Sequence, residues 1–297
     1  MKLRDVVRQM SRLLICCLSI SCGDSPKPNG IIALLTDYGT TDAYVGAVSG
    51  AILRVNPRAR LVTITHQVPS YDIQEASYLL ASAAGEFPVG TVFMAVVDPG
   101  VGSSRRPIVI ETLDGKFFVG PDNGVFSDVI RAVGFKRVHA IDNVLWIRAG
   151  SISTTFHGRD IFGPAAARLS LGSRVEEAGA LIEKPEQFSR PEPRLDGTTL
   201  SGQILHRDYY GNLISNIPAE MAAKAGLKNG MKMMLSTANT SVLASFENRY
   251  SAVDSGAFVA VINSQGRMEI ARNLASAGDS LHAKSGDALQ LSTRVLE

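Results

Sequence analysis

The sequence predicts an α/β protein in two parts: an N-terminal, mostly parallel sheet with flanking helices, and a smaller C-terminal antiparallel domain resembling a β-barrel. Three observations carry this expectation. From Ile31 onward, apolar β-rich runs alternate with segments of helical period, the pattern of strands joined by crossover helices. Between Glu183 and Thr199, Pro185, Pro191 and Pro193 stand among charged residues and interrupt that pattern. Beyond them the apolar runs are short and β-like.

Residues 31–35 make the first expected strand, followed by a helix over 42–55. A strand at 61–65 and a helix at 73–86 lead to a third strand at 92–97. After Arg106 a hairpin is expected, 107–112 with 116–119, turned by Asp114-Gly115. One helix follows Gly124, and another starts near Arg159 and runs to Leu171. The second domain reads as strands at 202–206, 213–217, 231–236, 242–246, 257–263, 268–271 and 288–292. The expected division is 1–29 as leader and tether, 30–190 as the α/β domain and 191–297 as the β domain. At 297 residues with 45% hydrophobic content, the chain can bury a core in each.

The leader has Lys2, Arg4, Arg8 and Arg12, then an apolar run at 13–20, then Ser21-Cys22-Gly23: the order of a secretory signal. That run is too short to span a bilayer. Cys22 in this position resembles the lipobox cysteine of bacterial lipoproteins, although Leu18 sits one place further from it than the usual pattern. A lipidated Cys22 implies an exported, membrane-anchored protein; an uncleaved leader implies a cytoplasmic one. All three cysteines, Cys16, Cys17 and Cys22, lie in this segment, so cysteine chemistry is set aside for the folded body. The 30 basic and 28 acidic residues are spread along the chain without a basic block, so nucleic acid is not an expected partner.

Two stretches set ionisable side chains among glycines: Val97-Asp98-Pro99-Gly100-Val101-Gly102-Ser103-Ser104-Arg105-Arg106 and Thr155-Phe156-His157-Gly158-Arg159-Asp160. Such composition suits a site where backbone passes close to a small ligand. Asp37 and Asp98 each follow a strand, and in a doubly wound sheet the carboxyl ends of strands are where ligands bind. A carboxylate at Asp37 suits ribose hydroxyls; the plainer reading is a turn or cap aspartate, and Asp42 reads as the cap of the first helix. No Gly-x-Gly-x-x-Gly follows the first strand, and Gly100-Val101-Gly102 lacks the Lys and Ser/Thr of a phosphate loop. Taken singly, Arg105 and Arg106 read as surface arginines and His157 as a structural histidine.

Together, five ordered motifs match a known family. They are Thr36-Asp37-Tyr38-Gly39 with Asp42, Tyr44, Val45 and Gly46; Val97 to Gly102; Gly120-Pro121-Asp122-Asn123-Gly124; Thr155 to Asp160; and Asp208 to Ile217. The chain closely resembles the S-adenosyl-L-methionine hydroxide adenosyltransferases, or adenosine-forming S-adenosylmethionine hydrolases, relatives of the fluorinating and chlorinating enzymes. The resemblance covers about residues 31–292. It implies attack of water or hydroxide on the ribose C5′ of S-adenosyl-L-methionine, with no cofactor and no metal. It assigns catalysis to Asp98, Arg105 and His157. The halogenating relatives carry tyrosine where this chain has Asp98 and His157, and a carboxylate at the halide position would repel the anion.

For the substrate, the resemblance puts Asp37 on the ribose and Tyr71 where relatives stack a tryptophan on adenine. Asp208 and Asn212 match residues that hold the amino-acid end, and Ser264 matches a carboxylate contact. Arg272 to Leu274 would meet the adenine edge through backbone groups. It also implies a homotrimer with each site between the first domain of one subunit and the second domain of its neighbour. Two other classes stay open. Asp37, Asp98, Asp122, His157 and Asp160 are the donor types of a divalent-metal hydrolase, and a non-catalytic adenosyl-ligand-binding lipoprotein would need no nucleophile.

Overall fold

The computed structural model describes residues 26–238 and 240–293. The leader and its Cys22 therefore lie outside the described residues. The first domain runs β1 (Ile31–Thr36), α1 (Tyr44–Val55), β2 (Arg60–Thr65), α2 (Ile73–Ala84), β3 (Val92–Val96), β4 (Pro107–Thr112), β5 (Phe117–Pro121), α3 (Ser127–Val133) and β6 (Phe135–Ala140). A π-helical turn at Gly158–Phe162 then leads into α4 (Gly163–Ser170).

The six strands form one sheet in the order β2-β1-β3-β5-β4-β6. Strands β2, β1, β3 and β5 are parallel, and β4 pairs antiparallel with both β5 and β6. Because side chains alternate across a strand, Ile32 and Leu34 face one helical layer while Ala33 and Leu35 face the other. The first layer packs Val48 and Ile52 of α1 with Phe162 of the π-helical turn and Leu169 of α4. The second packs Ala76 and Leu80 of α2 with Val129 and Ile130 of α3. The chain leaves β1 toward β2 on one side and returns to β3 on the other. That reversal opens a crevice at the carboxyl ends of β1 and β3, where Asp37 and Asp98 stand.

Several details depart from the sequence expectation. Strand β6 escapes pattern reading because Lys136 and Arg137 interrupt its alternation, and both pair with the buried Glu111 of β4. Asp42 does not cap α1: Ala43 holds that position without a side-chain bond. Asp72 does cap α2, accepting from the Glu75 N–H at 2.8 Å. The proline-rich segment is docked on the first domain. Glu186 N–H donates to Asp122 at 2.7 Å, Phe188 N–H to Ser127 at 3.1 Å, and Arg190 to Asp128 at 2.7 Å.

The second domain contains β7 (Arg194–Asp196), β8 (Thr199–Arg207), β9 (Leu213–Pro218), α5 (Ala219–Lys224), β10 (Met231–Ser236), β11 (Ser241–Phe246), β12 (Phe258–Ile262), β13 (Arg267–Arg272), α6 (Ala277–Leu281) and β14 (Ala288–Ser292). Pairing runs β14-β10-β11-β12-β13-β9-β8 and closes through β14 with β8, a seven-stranded barrel with β7 added on β8. Closure gives each of the seven barrel strands two neighbours, and β7 stays as an edge strand. Its pairs are antiparallel except β11 with β12. Leu200, Ile204, Leu235, Ile270 and Leu289 fill its interior.

Candidate active site

Asp98 leaves β3 in a tight turn closed by Val101 N–H to the Asp98 carbonyl at 3.2 Å. Gly102 follows with φ +78, and a Cβ there would strike the Thr154 carbonyl. A residue lacking that atom lets the 98–105 turn lie against the loop carrying His157. The chain then brings Arg105 back onto Asp98. Its Nε donates to both carboxylate oxygens, at 3.0 and 2.9 Å, and Nη2 donates to Oδ2 at 2.5 Å. Nη2 also stands 2.6 Å from His157 Nδ1. Both partners of the ion pair are buried, with side chains 9% and 5% exposed. Among the described residues the remaining Arg105 nitrogen, Nη1, is buried without a protein partner, which is unusual away from functional sites.

An arginine has no lone pair to offer, so His157 Nδ1 must be the acceptor and the ring hydrogen belongs on Nε2. Burial, and then the Arg105 charge, hold the His157 pKa below its ordinary value. The imidazole is therefore kept neutral with a fixed tautomer. Asp98 and His157 line a cleft of about 610 Å3, together with Asp37, Asp42, Tyr38, Tyr44, Tyr71 and Phe156.

Asp37 Oδ2 accepts from the Tyr71 N–H at 3.0 Å, which leaves Oδ1 for a ligand. Tyr71 has φ +69 and is 71% exposed, so its ring is held out at the cleft in a backbone conformation that costs energy. Part of the lining is aromatic: Tyr38, Tyr44 and Phe156 meet with ring centroids 5.4 to 6.0 Å apart.

Two nearby carboxylates have other partners. Asp160, fully buried, accepts from Arg159, Ser153 N–H and Arg148; the Arg159 bond is the main cause that brings its pKa down to about 2. Asp122 accepts from Arg106 at 2.9 and 2.5 Å and from Glu186 N–H. Their oxygens are committed to holding loops. Among the described residues, no three histidines, cysteines or carboxylates converge as a metal site.

A second cleft, about 650 Å3, opens in the barrel domain and is lined by Asp208, Tyr210, Asn212, Tyr250, Arg272, Asn273 and Leu274. Asp208 is tied to Asn212 through the Asn212 backbone N–H at 2.8 Å and its Nδ2 at 3.0 Å. Tyr250 donates to the buried Glu269 at 2.6 Å. The Arg272 side chain is spent inside, on the Gly256 carbonyl and Ser280. Leu274, with φ +58 and 88% exposed, turns the backbone outward.

The fold thus gathers Asp37, Tyr71, Asp98 and His157, with Arg105 behind them, in one cleft, and Asp208, Asn212, Arg272 and Leu274 in another. Ser264 joins neither. It occupies the exposed turn before β13, while Arg272 ends that strand, roughly 20 Å away at the usual rise per residue. Sequence reasoning gave no role to Tyr38, Tyr44, Phe156 or Tyr250. The first three stand inside the quoted motifs, but an aromatic at a strand end or in a first helical turn reads as core. Tyr250 had no local signal.

Residues 32–179 match the SAM hydroxide adenosyltransferase N-terminal domain, and residues 202–290 match the SAM hydroxide adenosyltransferase C-terminal domain. The chain is 34% identical to an (R)-S-adenosyl-L-methionine hydrolase of Salinispora tropica, over 89% of this chain and 98% of that protein. A fluorinase of an Actinoplanes species is 28% identical over 87% of this chain and 96% of its own. Among solved structures, an uncharacterized conserved protein from Thermotoga maritima superposes with a TM-score of 0.85 at 34% identity, covering 88% of this chain and 99% of that one.

Proposed function

The chain belongs to the SAM hydroxide adenosyltransferase family, and from that membership we propose that it hydrolyses S-adenosyl-L-methionine to adenosine and L-methionine. The Asp98–Arg105–His157 chain on the cleft floor is the observation that carries the reading. Water oxygen bonds to C5′ as the C5′–S bond breaks, and the bond pair passes to sulfur. A sulfonium leaves as a neutral thioether, so no general acid is needed; the catalytic demand falls on the water, whose proton goes to solvent. Arg105 leaves Asp98 enough acceptor capacity to take one hydrogen of the water and aim its oxygen. His157, neutral with hydrogen on Nε2, donates to the oxygen as hydroxide character develops.

Asp37 Oδ1 accepts from the ribose, and Tyr71 supplies a face for adenine. The (R) sulfonium is the proposed configuration, because it is the one in the names of the hydrolase relatives. Asp208 and Asn212 take the amino-acid end, and the outward backbone at Leu274 takes the adenine edge. The Ser264 contact rests on sequence resemblance alone. Because the two sets open as separate clefts, we propose a homotrimer with each site shared between subunits. Mixing an Asp98→Asn chain with an Asp208→Ala chain tests this, since hybrid trimers regain some intact sites. No recovery in mixed trimers contradicts it.

Purified protein incubated with S-adenosylmethionine should release adenosine and methionine in equal amounts, and His157→Ala should abolish release. Unchanged turnover in that variant defeats the assignment. The leader supports an exported, Cys22-anchored form; a Cys22→Ser chain should then leave the membrane fraction, and an unaltered distribution contradicts it.

A further inference from the structure

Tyr38 follows Asp37 out of β1 and reaches across the cleft floor to the loop that carries His157. Its backbone N–H bonds Thr36 Oγ1 at 3.3 Å, but among the described residues its hydroxyl has no hydrogen-bond partner. Tyr38 is half-buried and lines the cleft, so its hydroxyl is open to a ligand or water there. The ring is fixed by Tyr44 and Phe156, each with its centroid 6.0 Å away. Its hydroxyl lies where a side chain at residue 158 would begin, since a Cβ on Gly158 would run into it. The hydroxyl therefore takes the place of a residue-158 side chain, beside His157 and in the cleft that holds Asp98.

We infer that the Tyr38 hydroxyl is a third protein contact of the attacking water, completing with Asp98 and His157 the set that fixes its direction. The inference rests on the hydrolase reading. Burial, with the charges of Asp37 and Asp98, pushes the phenol pKa up, so the group stays protonated and orients the water without acting as a base. Three contacts hold a small nucleophile where two leave it free to pivot.

Tyr38→Phe removes the oxygen and keeps the ring in its aromatic setting. With S-adenosylmethionine as substrate, kcat is expected to fall about tenfold or more while KM stays within about twofold, as for loss of an interaction made with the reacting water. An unchanged kcat in a folded Tyr38→Phe protein overturns the inference, as does a loss confined to KM. If that variant does not fold, Gly158→Ala, which crowds the hydroxyl aside, is judged by the same split. A wild-type protein that releases no adenosine overturns the hydrolase reading instead, so the two failures are distinguishable.

Discussion

Replacing Asp98 by Asn changes one atom and tests both halves of the account, the stability of the buried pair and the direction of the water. Arg105 Nε and Nη2 reach both carboxylate oxygens. Asn offers one oxygen and turns an NH2 toward a donor, so at least one charge-assisted bond is lost, worth about 1.5–3 kcal/mol. The Arg105 side chain is 9% exposed, and stranding a buried charge costs about 3–5 kcal/mol. Since the pair floors an open cleft, the lower end applies, about 3 kcal/mol. At about 2–4 °C per kcal/mol for a domain of this size, Tm should fall by about 6–12 °C. Turnover should fall by about 100-fold or more, as when one preorganised contact to a reacting oxygen is removed. Thermal melting and chromatographic adenosine release measure the two effects. An Asn variant that melts with the wild type and keeps its turnover would refute the reasoning for both roles.

Other consequences follow from the same geometry. Because burial and Arg105 lower the His157 pKa, its neutral form persists below pH 6.5; kcat should hold through that range and fall only at lower pH, and an acid limb above pH 6.5 contradicts the tautomer argument. The sign for stability agrees: the unfolded state binds the proton more readily, so this histidine favours unfolding as pH drops below its ordinary value. Gly102→Ala should destabilise by about 1–3 kcal/mol through its positive φ, and by more through the Thr154 carbonyl, as read by denaturant midpoint. Tyr71→Ala should raise KM by about tenfold, the worth of one aromatic stack, with little change in kcat in steady-state assays. Chelator should leave turnover unchanged, because a departing thioether needs no Lewis acid, and inhibition restored by a divalent cation would revive the metal reading.

Much of the fold was legible because the β1, β3, β4 and β5 runs are apolar and bounded by turns, and because α1 and α2 hold a helical period. Strand β6 was not, since its charged residues pair with a buried glutamate that sequence cannot locate. Asp42 is a case of local chemistry overridden: it fits a cap by residue type, yet lines the cleft while Ala43 takes the cap position. Asp37 and Asp98 were legible as strand-end carboxylates. Local pattern alone does not show that Asp98 lines the cleft beside Arg105 while Asp122 is tied to Arg106 and Glu186 N–H and Asp160 to Arg148, Arg159 and Ser153 N–H. Arg105 and Arg106 are neighbours in the chain, and one joins the cleft floor while the other anchors Asp122. The role of Tyr38 was invisible for a related reason, because it depends on the missing side chain of Gly158, 120 positions away.

The central claim is that water attacks the ribose C5′, and the position of oxygen in the products tests it directly. Turnover of S-adenosylmethionine in 18O-enriched water, read by mass spectrometry, should place the label in the 5′-hydroxyl of adenosine, with methionine unlabelled. Methylthioadenosine with labelled homoserine, or no labelled adenosine at all, would contradict the account.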